Sequence, residues 1–217
     1  SYTEFPIASR DYPLVFISAD QGTTYAPMLV LGLAAQQNLF VTDGDTWDAG
    51  VYLPAYVRRY PFCMTRVTVD GKEAPERVAC VEKRAINDKG EKLFDDKDQP
   101  LPEWERRQKL LFEFEADLAR TEEMCKLLAQ LQLLEPFTMQ AVPNQGEPLQ
   151  LTGMYRVSEA KLTELDGAVL KDLMQKGALG RIYTHLLSLE NFQRLLARRP
   201  GNTKPAAAEK PSGKKLN

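Results

Sequence analysis

Side chains suited to proton transfer or nucleophilic attack are few in this chain, and they are scattered. The one histidine, His185, lies in an apolar stretch between Thr184 and Leu186-Leu187. Catalytic triads and zinc centres need a histidine with partners at set places. No cysteine or acid stands at ligand spacing from His185, and Glu190 falls off its helical face. The residue reads as a packed or surface-facing polar side chain. Cys63, Cys80 and Cys125 are odd in number and far apart, fitting neither a disulfide framework nor a C-x-x-C metal site. They are expected to be reduced thiols of a cytoplasmic protein. Asp95, Asp96 and Asp98 gather acid beside Asn87, Asp88 and Glu91, but not at the spacing that places six oxygens around calcium. A solvated acidic loop is the expectation there. Dinucleotide, P-loop and hydrolase-elbow signatures are missing. The sequence thus predicts no catalytic residue, no metal ligand and no cofactor. It leans away from an enzyme, although a two-carboxylate or Tyr/Arg site leaves no local signature.

The densest cluster of recognition-type side chains is the stretch 47–62. Trp47, Tyr52, Tyr56, Arg58, Arg59 and Tyr60 fall within it, closed by Pro61-Phe62. Tyr, Trp and Arg dominate binding hot spots because they join large contact area to polar tips. One reading is a recognition site for an anion or a protein or peptide partner. The other is a structural corner, with aromatics filling the core and arginines stacked on them or paired to acids. If the segment is extended, Arg58 and Arg59 point to opposite faces and should not share one role: one is expected to pair inward with an acid near the core and the other to face solvent, free to bind.

The elements that must position this stretch belong to an α+β chain. Residues 14–17, 28–33 and 39–41 read as short strands, and Asp70-Gly71 between 66–69 and 77–81 is a hairpin signal. A short-stranded curled sheet or small barrel is expected from them. Residues 87–102 read as a surface loop. Trp104, Leu111, Leu118 and Cys125 then recur every seven residues, with Phe114, Thr121 and Leu128 between them, predicting one long helix over 102–134. A second hairpin over 137–157 turns at 143–146. Helices follow over 158–198, with Ser158 and Asp166 as caps and Gly177 as a left-handed stop. These parts make a single domain over 1–199, with its β-rich portion at 5–86. Residues 200–217 carry Lys204, Lys210, Lys214 and Lys215 against Glu209 and almost nothing apolar, predicting a disordered basic tail.

Net charge is −2, with 43% hydrophobic and 27% charged residues. With the tail basic, the body is mildly acidic and offers no electrostatic basis for nucleic acid. No apolar run approaches the roughly 20 residues that span a bilayer. The opening residues have neither the basic nor the apolar region of a signal peptide. A soluble cytoplasmic protein is expected; a removed N-terminal segment carrying a signal would instead place it at the cell surface or in the periplasm.

The chain strongly resembles the bacterial SapC family. The likeness runs through Asp11-Tyr12-Pro13-Leu14-Val15-Phe16, Leu31-Gly32-Leu33, Asn38-Leu39-Phe40 and the Tyr52-Leu53-Pro54-Ala55-Tyr56-Val57-Arg58-Arg59-Tyr60-Pro61-Phe62 stretch. It continues through Leu93-Phe94-Asp95, Arg120-Thr121-Glu122, Leu133-Leu134-Glu135-Pro136 and 182–189, covering essentially 5–197. The family's usual N-terminal stretch is missing, and the tail after Pro200 is not part of the pattern. The family is linked by name to surface layers (S-layers), and its members look to be encoded often beside outer-membrane receptors. The resemblance carries no catalytic residues. An unrelated peptide-transport permease shares the name, but this chain lacks the spans a permease needs.

Two functions are therefore expected in order. The first is a non-enzymatic binding or surface-associated protein with the Tyr/Arg stretch and the long helix as contact faces, for which a flat exposed aromatic patch would speak. The second is an enzyme or enzyme accessory in a modification pathway, for which an aromatic-lined cleft collecting acids or arginines would speak.

Overall fold

Leu14, Val15 and Phe16 are consecutive and all buried, so the first strand must be covered on both faces. The computed structural model describes residues 1–20, 22–42, 45–69, 72–87, 89–141 and 148–199. The tail and the turns expected at Asp70-Gly71 and 143–146 lie outside these residues. A 3₁₀ turn (Tyr2–Glu4) leads into α1 (Phe5–Ala8), then β1 (Leu14–Ile17) and β2 (Ala26–Leu29). Next come β3 (Val41–Thr42), β4 (Thr46–Trp47), the single turn α2 (Ala55–Arg58), β5 (Phe62–Val69) and β6 (Lys72–Val81). The long helix α3 (Pro102–Gln130) precedes β7 (Leu134–Ala141) and β8 (Leu149–Val157). Helices α4 (Glu159–Thr163), α5 (Gly167–Gln175), α6 (Ala178–Ser188) and α7 (Asn191–Ala197) complete the fold.

The expected α+β class holds, with a long helix and a C-terminal helical pair, but among the described residues no sheet closes into a barrel. Strands β2-β1-β8-β7 form an open antiparallel sheet whose edges are β2 and β7. It takes strands from both halves of the chain, whereas β3-β4 and β5-β6 remain separate two-stranded ribbons. The expected strands at 28–33 and 39–41 shift to β2 and β3, because the chain leaves β1 at Val30 and turns through Leu31, whose carbonyl takes the Leu39 amide.

Side chains alternate across β1. Leu14 and Phe16 enter one core with Phe5, Met124, Leu128, Leu173 and Ile182. Val15 enters another with Tyr12, Phe40, Met154 and Phe192. His185 sits in this sandwich, fully buried. Its Nε2 accepts the Val157 amide at 3.1 Å, so Nδ1 carries the proton and donates to the Leu14 carbonyl at 2.8 Å. The ring ties β1 to β8 where the strands have parted, since their pairing is confined to Phe16↔Tyr155. Burial brings its pKa down to about 4.

Helix α3 starts with Pro at its first position, where a missing N–H costs nothing. It ends at Gln130, not at 134. Gln132 adopts φ 51°, its amide donates to Ala129 O, and the Leu133 amide reaches back to Leu128 O. These bonds make a Schellman stop, sealed by Leu128 and Leu133, both fully buried. The predicted stripe is buried at Leu111, Phe114, Thr121, Cys125 and Leu128, but Leu118 is 36% exposed. Thr121, with Asp117 from off the stripe, is buried to receive the N-terminal segment. Tyr2 N–H donates to Thr121 Oγ1 at 2.9 Å, and both Thr3 N–H and its hydroxyl donate to Asp117 Oδ2 at 2.8 Å.

The expected last helix is broken between α6 and α7. Ser188 Oγ donates to His185 O and accepts the Leu14 amide. Asn191 Nδ2 donates to the carbonyls of Ser9 and Tyr12. Polar side chains thus take backbone groups outside the helix and turn the chain.

Candidate functional site

The Trp47–Phe62 stretch is held by acids and a tyrosine from the chain's first dozen residues. Tyr52 N–H donates to Asp11 Oδ2 at 2.8 Å, and the buried Tyr12 hydroxyl donates to Tyr52 O. Trp47 Nε1 in turn donates to Tyr12 Oη at 3.1 Å, and its ring lies 6.4 Å from Phe40, nearly parallel. Glu4 Oε1 accepts the Tyr52 hydroxyl at 2.8 Å and the Ala55 amide at 2.6 Å. That carboxylate therefore caps α2 from outside, behind an extended Pro54. Burial alone would raise its pKa, but hydrogen bonds from Ser1, the Ala55 amide and Tyr52 hold it below the ordinary carboxylate value. Tyr52 is pushed up to about 12, by burial first and then by Glu4.

The segment carrying both arginines is one helical turn, not a strand, so the opposite-face expectation fails. A helical turn separates neighbours by about 100°. Exposed Arg58 folds back, its Nη2 donating to Tyr52 Oη at 2.9 Å and its Nε to Leu53 O at 3.1 Å. Half-buried Arg59 lies over the rings of Tyr56 at 4.5 Å and Phe114 at 5.0 Å. Neither is the buried acid-paired arginine expected from the sequence.

Beside this turn opens a cleft of about 760 Å³ between α3 and the edge strand β2. Its walls are mainly apolar: Phe5, Leu14, Met28, Leu29, Phe114 and Leu118, with Pro54, Tyr56 and Val57 at the α2 end. Leu118 is exposed because it faces this space. Polar groups reach the cleft already engaged. Glu115 pairs with Arg77, and Glu122 lies 3.8 Å from Lys126. The Cys125 thiol is pushed up to about 12, first by burial and then by Glu122, which leaves it protonated and inert at neutral pH.

Of the sequence-predicted residues, Tyr56 lines the cleft and Arg59 stacks on two of its rings. Trp47 and Tyr52 face inward and fix the loop, Arg58 clamps it, and Tyr60 stands 62% exposed next to the cis Tyr60–Pro61 bond. Sequence reasoning offered the long helix as a contact face but missed the β2 wall and Glu4. Leu118, apolar on a stripe it was expected to bury, was the one available signal. Among the described residues no group of three His, Cys, Asp or Glu is placed to hold a metal ion, and no helix is long and apolar enough to cross a membrane.

A family model, SapC, matches residues 1–195. The fold and cleft described above are therefore those of a family member: this chain belongs to the SapC family. No curated protein and no solved structure matches it.

Proposed function

We infer that this SapC-family chain is a non-enzymatic binding protein that receives an apolar part of a protein partner in the cleft between α3 and β2. The carrying observation is the open apolar wall itself, with Met28 39% and Leu118 36% exposed around a space of about 760 Å³. A cavity of that size, mostly apolar with a few polar groups, is the usual form of a binding site. The state of its ionisable groups supports binding over proton transfer: Glu4 is held ionised, Glu115 is ion-paired and Cys125 stays a thiol. The surface-layer link implied by the family would supply a partner at the cell surface. The concavity, with Glu4, Glu115, Glu122 and Arg77 gathered at it, favours a second reading, an accessory that holds a substrate segment for an enzyme.

The test fills the cleft without removing packing. Ala119 is an exposed residue of its α3 wall, and Ala119→Trp places an indole there. Wild type is expected to enhance the fluorescence of an anilinonaphthalene sulfonate probe, and Ala119→Trp to lose that signal at an unchanged melting temperature. Capture of a host partner should fall in parallel. Equal probe binding and equal capture by both proteins would remove the cleft as the site.

A further inference from the structure

Among the described residues, strand β2 has one side paired to β1 and the other open. The Val30 amide donates to Pro13 O at 2.9 Å, and the pairing continues through Val15↔Met28 and Ile17↔Ala26. Because an antiparallel ladder alternates, Ala26 and Met28 turn their peptide groups to β1, while Pro27 and Leu29 turn theirs outward. Pro27 therefore stands where its missing N–H removes no bond from the sheet. Among the described residues, the Leu29 N–H and the Pro27 and Leu29 carbonyls are left as unpaired strand-edge groups. All four residues line the cleft.

Beside the cleft, outside its lining, a cation stacks on two of the lining rings, Tyr56 and Phe114, without an acid partner among the described residues. Glu4 is satisfied by the Ala55 amide and Tyr52, and Glu115 by Arg77. Among the described residues, no carboxylate lies within ion-pair distance of Arg59, whose guanidinium is held between Tyr56 and Phe114.

The geometry points to an extended peptide segment of the partner as the occupant, one that adds as a strand along β2, turns apolar side chains into the cleft and sets a carboxylate on Arg59. This rests on the cleft being the binding site. Strand addition answers the open peptide groups of β2, which a hydrocarbon chain leaves unpaired. The carboxylate answers the unmatched cation, and a planar guanidinium favours it through paired hydrogen bonds.

A displayed random-peptide library selected on the full chain tests this, with synthetic copies of the enriched peptides measured by fluorescence anisotropy. Enriched sequences should alternate apolar residues around a single Asp or Glu, and Ala119→Trp should abolish their binding. Arg59→Met, which keeps the side-chain stem, should weaken them about tenfold, equivalent to about 1.4 kcal/mol. Changing the peptide's acid to its amide should weaken binding of wild type equally and add nothing in Arg59→Met. That peptide-side change reads the contact without altering the fold. N-methylation of alternate peptide amides should abolish binding in one register and spare it in the other. Binding indifferent to Arg59 and to the acid, or to N-methylation in both registers, would overturn the proposal while leaving the cleft. So would enrichment of no peptide, or palmitate displacing the probe where peptides do not. Peptide binding indifferent to Ala119→Trp would instead sink the cleft reading.

Discussion

His185 is the residue with the clearest pH signature. Its folded pKa of about 4 lies below the ordinary 6.5, so the unfolded chain takes up the proton first. Stability is therefore full above the unfolded value and falls as pH drops toward the folded one, by about 3 kcal/mol. Urea midpoints across that window should show the slope in wild type and lose it in His185→Phe. The same substitution should cost about 2–4 kcal/mol at neutral pH, because Leu14 O and Val157 N–H lose a buried partner. The thiols give a second residue-scale prediction. All three are free, yet Cys63 and Cys80 stand directly opposite each other in the β5-β6 ribbon. Titration of denatured, unreduced protein should count three thiols; a count of one would show that pair joined. The arginines give a third. Arg58→Ala should cost about 1 kcal/mol or less, since the side chain is exposed. Arg59→Ala should cost more, about 1–2 kcal/mol, because a half-buried stem and two ring contacts are lost. Thermal melts separate the two, and equal losses would contradict their different seats.

At the scale of elements, stops and joints decide where the site's walls stand. Gly177 ends α5 at φ 70°, and a Cβ there would lie 2.8 Å from the Tyr2 hydroxyl. That hydroxyl donates to Lys176 O and, through its residue's amide, the same tyrosine is tied to α3. Gly177→Ala should thus lower stability by about 1–3 kcal/mol, part from the left-handed backbone and part from displacing Tyr2. In a Tyr2→Phe background the added loss should shrink to the backbone part, which a double-mutant cycle of chemical melts would resolve. The same N-terminal segment carries Glu4, so the α5-α6 joint, the α3 wall and the α2 turn are mechanically one assembly.

For the whole molecule, the division into a sandwiched sheet and an outlying ribbon predicts uneven dynamics. Strand β1 is buried on both faces, whereas Val78 and Val81 of β6 are each 40% exposed and the ribbon rests on α3. Hydrogen exchange in β5-β6 should proceed by local opening, well before amides of β1, β8 and α6, which should exchange near the global limit. Uniform protection across both would show the ribbon to be part of the central fold.

The sequence by itself determined what is local in this protein. The continuous apolar run at 14–17 required a doubly covered strand, the seven-residue stripe required a long helix, and Gly177 required a left-handed stop. Composition also singled out the Tyr/Arg stretch, because aromatic and guanidinium side chains concentrate there. Only the tertiary structure decided the rest. The end of α3 rests on Gln132 in a conformation that glycine usually advertises, stabilised by the burial of Leu128 against Leu133. The main sheet is completed by β8 and β7, which return from the far half of the chain, a pairing no local pattern encodes. Arg58 and Arg59 form a helical turn because Glu4, some fifty residues away in sequence, supplies the carboxylate at its start. The cleft exists because α3 and the β2 edge stand apart at Leu118, which lies between the buried Phe114 and Thr121 of the same stripe. Periodicity records which side chains are apolar; which of them meet a partner inside the chain depends on contacts between distant residues.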